Sequence, residues 1–445
     1  MPTPFMKPLH LRAVLLALLL IGSISIASSQ AKIKKYSLII SNVSIIPIYK
    51  DTIIRSIDLY IIGGKIEKIE KHDRNAEFKL LSDIIINGSG KYLMPSLIDC
   101  HVHYGGNRSL FGLYDSLYLK YGVTKVLALN GTDSLLEHRK RKNNKSLYGP
   151  DIYCSSPRNN DSLMTAVQAD SIMKDYKLKG YEFIKVYSDL SKSAFNEFSE
   201  KAKSFNLRVL GHIPQKVGTY ATLKSNVELI VHAEEFLYNP PINYFMGEIT
   251  HPVKPNEQYI DQVADSVFKY KKLVSPTLIA FKSILESAID IQKYTNSVPL
   301  RPTHPIATHW DWSPTKSFVP KKFNKTIAIN RLQYGYDYQL KLVKALDSKG
   351  IVILAGTDAP TIPGLVPGYS LHQELQLLSE AGMPNYEILK SATLNAAQFL
   401  NISNVFGTIE VGKEASFILL SKNPLTNIKN TLSIKKIVLN GKEYK

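Results

Sequence analysis

Residues 31–70 alternate apolar and polar side chains through Tyr36 to Ile40, Val43 to Ile46, Ile57 to Ile62 and Lys65 to Ile69, with Gly63-Gly64 between the last two runs. A period of two puts apolar residues on one face of an extended chain and a glycine pair supplies a turn, so antiparallel strands are predicted. The C-terminal end has the same character in Gly407 to Lys413, Ala415 to Leu420 and Ile434 to Lys442, where Asn440-Gly441 is a hairpin signal. Neither end carries enough strands to be stable alone. The two are expected to pair as one small β-sandwich domain.

Between them the pattern changes to short apolar runs separated by segments of helical spacing, which calls for parallel strands with helical crossovers. Eight such runs stand out: Leu93–Val102, Val123–Leu129, Asp151–Cys154, Phe183–Tyr187, Arg208–Ile213, Val227–His232, Leu273–Ala280 and Ile351–Ala355. Lys192–Phe205 and Ile327–Lys349 read as helices, the first with Ala194, Phe195, Phe198, Ala202 and Phe205 on one face. The expected fold is α/β, a closed (β/α)8 TIM barrel carrying the small β domain. An open doubly wound sheet is the alternative, but no Gly-x-Gly-x-x-Gly follows the first strand. The implied boundaries are 1–30 for a leader, 31–92 and 403–445 for the two parts of the β domain, and 93–402 for the barrel.

The composition fits a large folded chain: 445 residues, 44% hydrophobic and 21% charged. Lys and Arg number 55 against 38 acids, a formal charge of +17, yet the basic residues are scattered apart from His138 to Lys142. We read the excess as solubility and weak steering, with no nucleic-acid partner expected. Residues 1–30 run from a basic stretch ending at Arg12, through apolar Ala13 to Ile21, to small residues from Gly22 to Ser29. That is the form of a secretory signal, too short to span a bilayer comfortably, so a periplasmic or secreted protein with no integral membrane segment after signal removal is expected. An uncleaved anchor is the alternative. Cys100 and Cys154 are the 2 cysteines. They exclude a disulfide scaffold and a cysteine-based zinc site, and two buried free thiols are expected rather than one bridge.

Polar residues gather at or near the C-terminal ends of the runs: His101 and His103 after the first, Lys185 in the fourth, His212 in the fifth, His232 in the sixth and Asp358 after the eighth. In a barrel these ends meet at one face. A His-x-His pair on a strand points two imidazoles the same way, which suits two ligands of one metal. Each residue also has a plainer reading: hydrogen-bonded core histidines at 212 and 232, an outward-reaching Lys185, a turn-capping Asp358. A shared cation site accounts for all six together.

The chain resembles the metal-dependent amidohydrolase superfamily along nearly its whole length past the leader. The resemblance rests on Met94 to His103, Phe183 to Tyr187, Gly211-His212-Ile213-Pro214, Val231-His232, Ala355 to Ala359, Leu371 to Leu375, Ala381 to Pro384, Ala392-Thr393, Gly407 to Lys413 and Asn423-Pro424-Leu425. Within it the chain looks nearest to imidazolonepropionase-like proteins and Xaa-Pro dipeptidases. The resemblance implies two divalent metal ions, taken as zinc: one bound by His101, His103 and Asp358, the other by His212 and His232. Lys185, carboxylated by carbon dioxide, would bridge them. A metal-bridging hydroxide would attack an amide-type C–N bond of a small molecule or short peptide, with the catalytic Asp358 as proton shuttle.

Deaminases of this kind carry a glutamate three residues beyond the fifth-strand histidine, where this chain has Gln215. Ser96 and Ser416 stand where the family usually has Gly and Asp, and Ser188-Asp189-Leu190 where dipeptidase relatives have a Gly-rich segment. His372 is expected to support rather than ligate, and His251, His304 and His309 match no metal role. Substrate contacts are expected from Tyr187, from Tyr238 in the aromatic loop 236–256, and from Arg301 and Trp310 in the loop 296–323, with Arg301 holding a carboxylate. The alternatives are a non-catalytic substrate-binding relative and an esterase or lactonase using the same centre. A homo-oligomer is left open.

Overall fold

The structure is a computed structural model and describes residues 34–143, 148–158, 163–240, 242, 244, 254–313, 315–316 and 324–444. The expected signal segment lies outside them, as does His251. Among the described residues no helix is long and apolar enough to cross a membrane. The strands are β1 (Leu38–Ile45), β2 (Ile54–Ile62), β3 (Lys65–Lys71), β4 (Ile85–Asn87), β5 (Tyr92–Pro95), β6 (Leu97–Val102), β7 (Val123–Ala128), β8 (Asp151–Cys154), β9 (Phe183–Val186), β10 (Arg208–Gly211), β11 (Val227–Val231), β12 (Leu273–Ser275), β13 (Phe417–Leu420), β14 (Ile434–Leu439) and β15 (Lys442–Tyr444).

The two ends of the chain do meet. They form one eight-stranded sheet in the order β15-β14-β13-β5-β1-β2-β3, with β4 on β1, where the two sheets of a sandwich were expected. Its core joins Leu38, Ile40, Val43, Leu59 and Ile61 from one end to Phe417, Leu419 and Val438 from the other. The alternation of β1 slips between Ile40 and Val43, where the register shifts and Asn42 takes φ 53. A bulge there returns the apolar side chains to the core face.

The predicted run Leu93–Val102 is two strands. Its first part, β5, pairs with β13, and after Ser96 the chain enters the parallel layer as β6. Ser96 and Ser416, two departures from the family pattern, touch there: Ser96 Oγ shares a 2.6 Å hydrogen bond with Thr124 Oγ1 and donates to the Ser416 carbonyl at 3.2 Å.

The parallel strands form two sheets, β6-β7-β8 and β12-β11-β10-β9, rather than one continuous closed ladder. Single bridges connect them at Ser155–Phe183, Val274–Ile353 and Val102–Ala359. The eighth run, Ile351–Ala355, is therefore a bridge segment rather than a strand. Of Leu273–Ala280 only Leu273–Ser275 is extended, because Leu278 already starts a long helix. The crossover helix Lys192–Ser204 forms as expected, capped by Ser191 and burying Ala194, Phe195, Phe198 and Ala202, and Lys325–Ser348 is capped by Asn324. Cys100 and Cys154 are buried free thiols.

The Leu371 to Leu375 motif proves to be architectural. His372 is buried, with Nδ1 2.8 Å from Thr431 Oγ1 and Nε2 2.9 Å from the Tyr121 carbonyl. Glu374 accepts from the N–H groups of Leu278 and Ile279 at 3.1 and 2.8 Å, capping that long helix. Burial pushes the Glu374 carboxyl from 4.5 up to about 8, although these N–H bonds pull the other way. The folded chain thus binds this proton more tightly than the unfolded chain, and the group's contribution to stability is lost as pH rises through about 8. Urea unfolding should show stability falling from about pH 5 to 9, and Glu374→Gln should flatten that fall.

Candidate metal centre

Strand β6 and the segment after Ala355 build the first half of the site. Asp99, His101 and His103 alternate along one face, so all three point inward. The Asp99 carboxylate accepts from His101 N–H at 3.2 Å, Thr357 N–H at 3.1 Å and Thr357 Oγ at 2.7 Å. Asp358 N–H donates to the His101 carbonyl at 2.8 Å. This stitching brings Asp358 to the imidazoles: its Oδ1 lies 2.8 Å from His103 Nε2 and 3.2 Å from His101 Nε2, and the two Nε2 atoms are 3.3 Å apart. Ligands held about 2.0–2.1 Å from a tetrahedral zinc stand roughly 3.3 Å from one another, so this donor set has the size and the N/O chemistry of a divalent-cation site.

The second half comes from β9, β10 and β11. The His232 ring lies 4.6 Å from that of His101 and 4.8 Å from that of His212. His232 Nδ1 is 2.7 Å from Thr277 Oγ1, whose hydroxyl donates to the Pro276 carbonyl at 2.8 Å. The hydroxyl therefore accepts from Nδ1–H, and the lone pair of His232 is on Nε2. His212 Nδ1 likewise meets Glu235 Oε1 at 2.6 Å, and Glu235 Oε2 accepts from Ile213 N–H at 3.1 Å. A carboxylate or hydroxyl behind the ring is the arrangement that fixes a ligating imidazole. Lys185 is fully buried, its Nζ 5.2 Å from the centre of the Tyr187 ring.

Burial, then the nearby Lys185 charge, pushes His101 down to about 3 and His212 well below its ordinary range. His232 is also held well below it, by burial and the neighbouring imidazoles. Burial pushes Lys185 down to about 7, with Asp358 and Glu235 opposing. Burial would raise Asp358, but His103 and His101 more than offset it and hold the carboxyl well below the usual range. The site thus presents neutral imidazoles at His101, His212 and His232, an ionised Asp358 carboxylate and a Lys185 amine close to losing its proton. The backbone is left-handed at His232 (φ 70), Thr277 (φ 47) and Asp358 (φ 63). Such conformations are costly for non-glycine residues and cluster where geometry serves chemistry.

Of the expected substrate contacts, Tyr187 stacks on His212 at 4.7 Å and the half-buried Tyr238 bonds to Glu234. Trp310 Nε1 donates to Tyr114 Oη at 2.9 Å, which docks its loop on the helix after β6. Arg301 is exposed, and its carbonyl accepts from His304 N–H at 2.9 Å. Sequence reasoning missed Asp99, Glu235 and Thr277. The period of two through 99, 101 and 103 could have found the first. An acid three residues past His232 was the only sign of the second, and Thr277 carried none. Glu235→Gln keeps the shape of the His212 support but replaces one of its two oxygens by an NH2 group, and should weaken metal binding by about 10- to 100-fold in a chelator competition.

Residues 337–444 match the amidohydrolase family. The 5-methylthioadenosine/S-adenosylhomocysteine deaminase of Caldanaerobacter subterraneus subsp. tengcongensis is 26% identical over 424 residues, covering 89% of this chain and 87% of that protein. The imidazolonepropionase of Pseudomonas savastanoi pv. phaseolicola is 25% identical over 388 residues, covering 83% and 88%. By fold, the chain is similar to the crystal structure of a Xaa-Pro dipeptidase with bound methionine in the active site, with a TM-score of 0.69 at 17% identity over 92% of this chain and 99% of that one. The resemblance to the amidohydrolase superfamily therefore holds in sequence and in fold. Its relatives are hydrolases acting on carbon–nitrogen bonds.

Proposed function

We propose that the chain is an exported, binuclear metal-dependent amidohydrolase that cleaves an amide-type C–N bond in a dipeptide, N-acyl amino acid or cyclic amide. The observation that carries this reading is the convergence of His101 Nε2, His103 Nε2 and Asp358 Oδ1 within 2.8–3.3 Å of one another. The single bridges between the parallel sheets support a closed (β/α)8 barrel over residues 93–402, with the two chain ends as its companion domain. The basic, apolar and small-residue succession in residues 1–30 supports export.

His101, His103 and Asp358 would hold one divalent ion, taken as zinc, and His212 and His232 a second. Lys185 would bridge them after its neutral amine adds carbon dioxide and loses a proton, becoming an anionic carbamate. When bound, the ions supply Lewis-acid polarisation of a carbonyl and an acidified water. Asp358 takes the proton of the attacking water and delivers it to the leaving nitrogen, so that one C–O bond forms, one C–N bond breaks and one water is consumed. Glu235 and Thr277 keep His212 and His232 in the ligating tautomer. Gln215 cannot serve as the acid that deamination calls for, which favours amide cleavage.

Metal analysis and a hydrolysis panel of dipeptides, N-acyl amino acids, cyclic amides and esters test the reading. Two metal equivalents with amine release are expected. No metal and no turnover would make the chain a binding protein, and turnover of esters alone would make it an esterase.

A further inference from the structure

Arg158 sits on the loop that leaves β8, at the same end of the parallel strands as the imidazoles. Its backbone is pinned: Arg158 N–H donates to Asn130 Oδ1 at 2.9 Å, and Asn130 N–H donates to Ser155 Oγ at 3.0 Å. Its guanidinium carbon lies 4.7 Å from the centre of the Tyr187 ring, and that ring stacks on His212 at 4.7 Å with 24° between planes. The cation therefore stands one aromatic layer away from the imidazole cluster. Its ion partner is Asp189, at 3.6 Å, with the two side chains 54% and 64% exposed. An ion pair this long and this wet contributes little to stability, so the guanidinium fork is not committed to holding the fold.

Asp189, 3.6 Å from the guanidinium, gives Arg158 an internal anion to exchange.

We propose that Arg158 is the specificity-determining residue for substrates with a free carboxylate beside the scissile amide, and that Asp189 is the internal anion such a carboxylate displaces. This rests on the amidohydrolase reading and takes the role that the sequence suggested for Arg301. A planar fork presents paired donors to a carboxylate, which a lone lysine charge cannot match.

The test is calorimetric titration of the metal-loaded full chain with N-acetylglycine and with N-acetylglycinamide, which differ only in the carboxylate. The native protein should bind the acid about tenfold or more tightly than the amide. Arg158→Ala should bring that ratio close to one, Arg158→Lys should fall between, and Asp189→Asn should raise it. Unchanged thermal melting establishes that each variant is folded. A native ratio near one, no binding of either compound, or a preference that survives Arg158→Ala overturns the proposal. If the ratio behaves as stated while no amide in the hydrolysis panel is cleaved, the anion subsite stands and the amidohydrolase reading falls.

Discussion

His101→Ala should strip metal from the chain and lower kcat/KM for any amide substrate by at least about 10³-fold, since Lewis-acid stabilisation is worth several kcal/mol. The His101 ring is fully buried and lies between the two halves of the site, 3.3 Å from His103 Nε2 and 4.6 Å from the His232 ring. Its loss removes one donor and leaves the Asp358 carboxylate with a single imidazole partner. Elemental analysis beside turnover is the measurement, with a melting curve to show that the fold persists. A variant that keeps its metal and its rate would remove the cluster from the chemistry.

Asp358→Asn should separate ligation from proton transfer. An asparagine oxygen can still face a cation, and asparagine tolerates the left-handed backbone at this position better than most residues do. It cannot accept a proton, so kcat should fall by about 10²–10⁴-fold while KM and metal content change far less. Equal loss of metal and rate would assign Asp358 to ligation alone.

The alternating ends and the apolar runs of the middle made the layers of this fold readable, because a period of two or of 3.6 is a local property of the chain. Where the reading failed, a distant partner decided the outcome. Nothing in Leu93 to Val102 announces that β5 belongs to β13 and β6 to β7, since both halves are continuously buried. Leu278 to Ala280 is apolar enough for a strand, but the carboxylate of Glu374 caps a helix there. The site was readable as a set of residue types at strand ends. Its internal order was not: Thr277 matters only because its hydroxyl is already spent on Pro276 and must accept from His232.

The passage of the chain from β5 into β6 at Ser96 has a practical corollary. A chain cut before Phe417 would strip one edge of β5, only a few residues upstream of both imidazoles of the His101–His103 pair. Damage at the far C-terminal end would then register as lost cation affinity rather than as simple fraying.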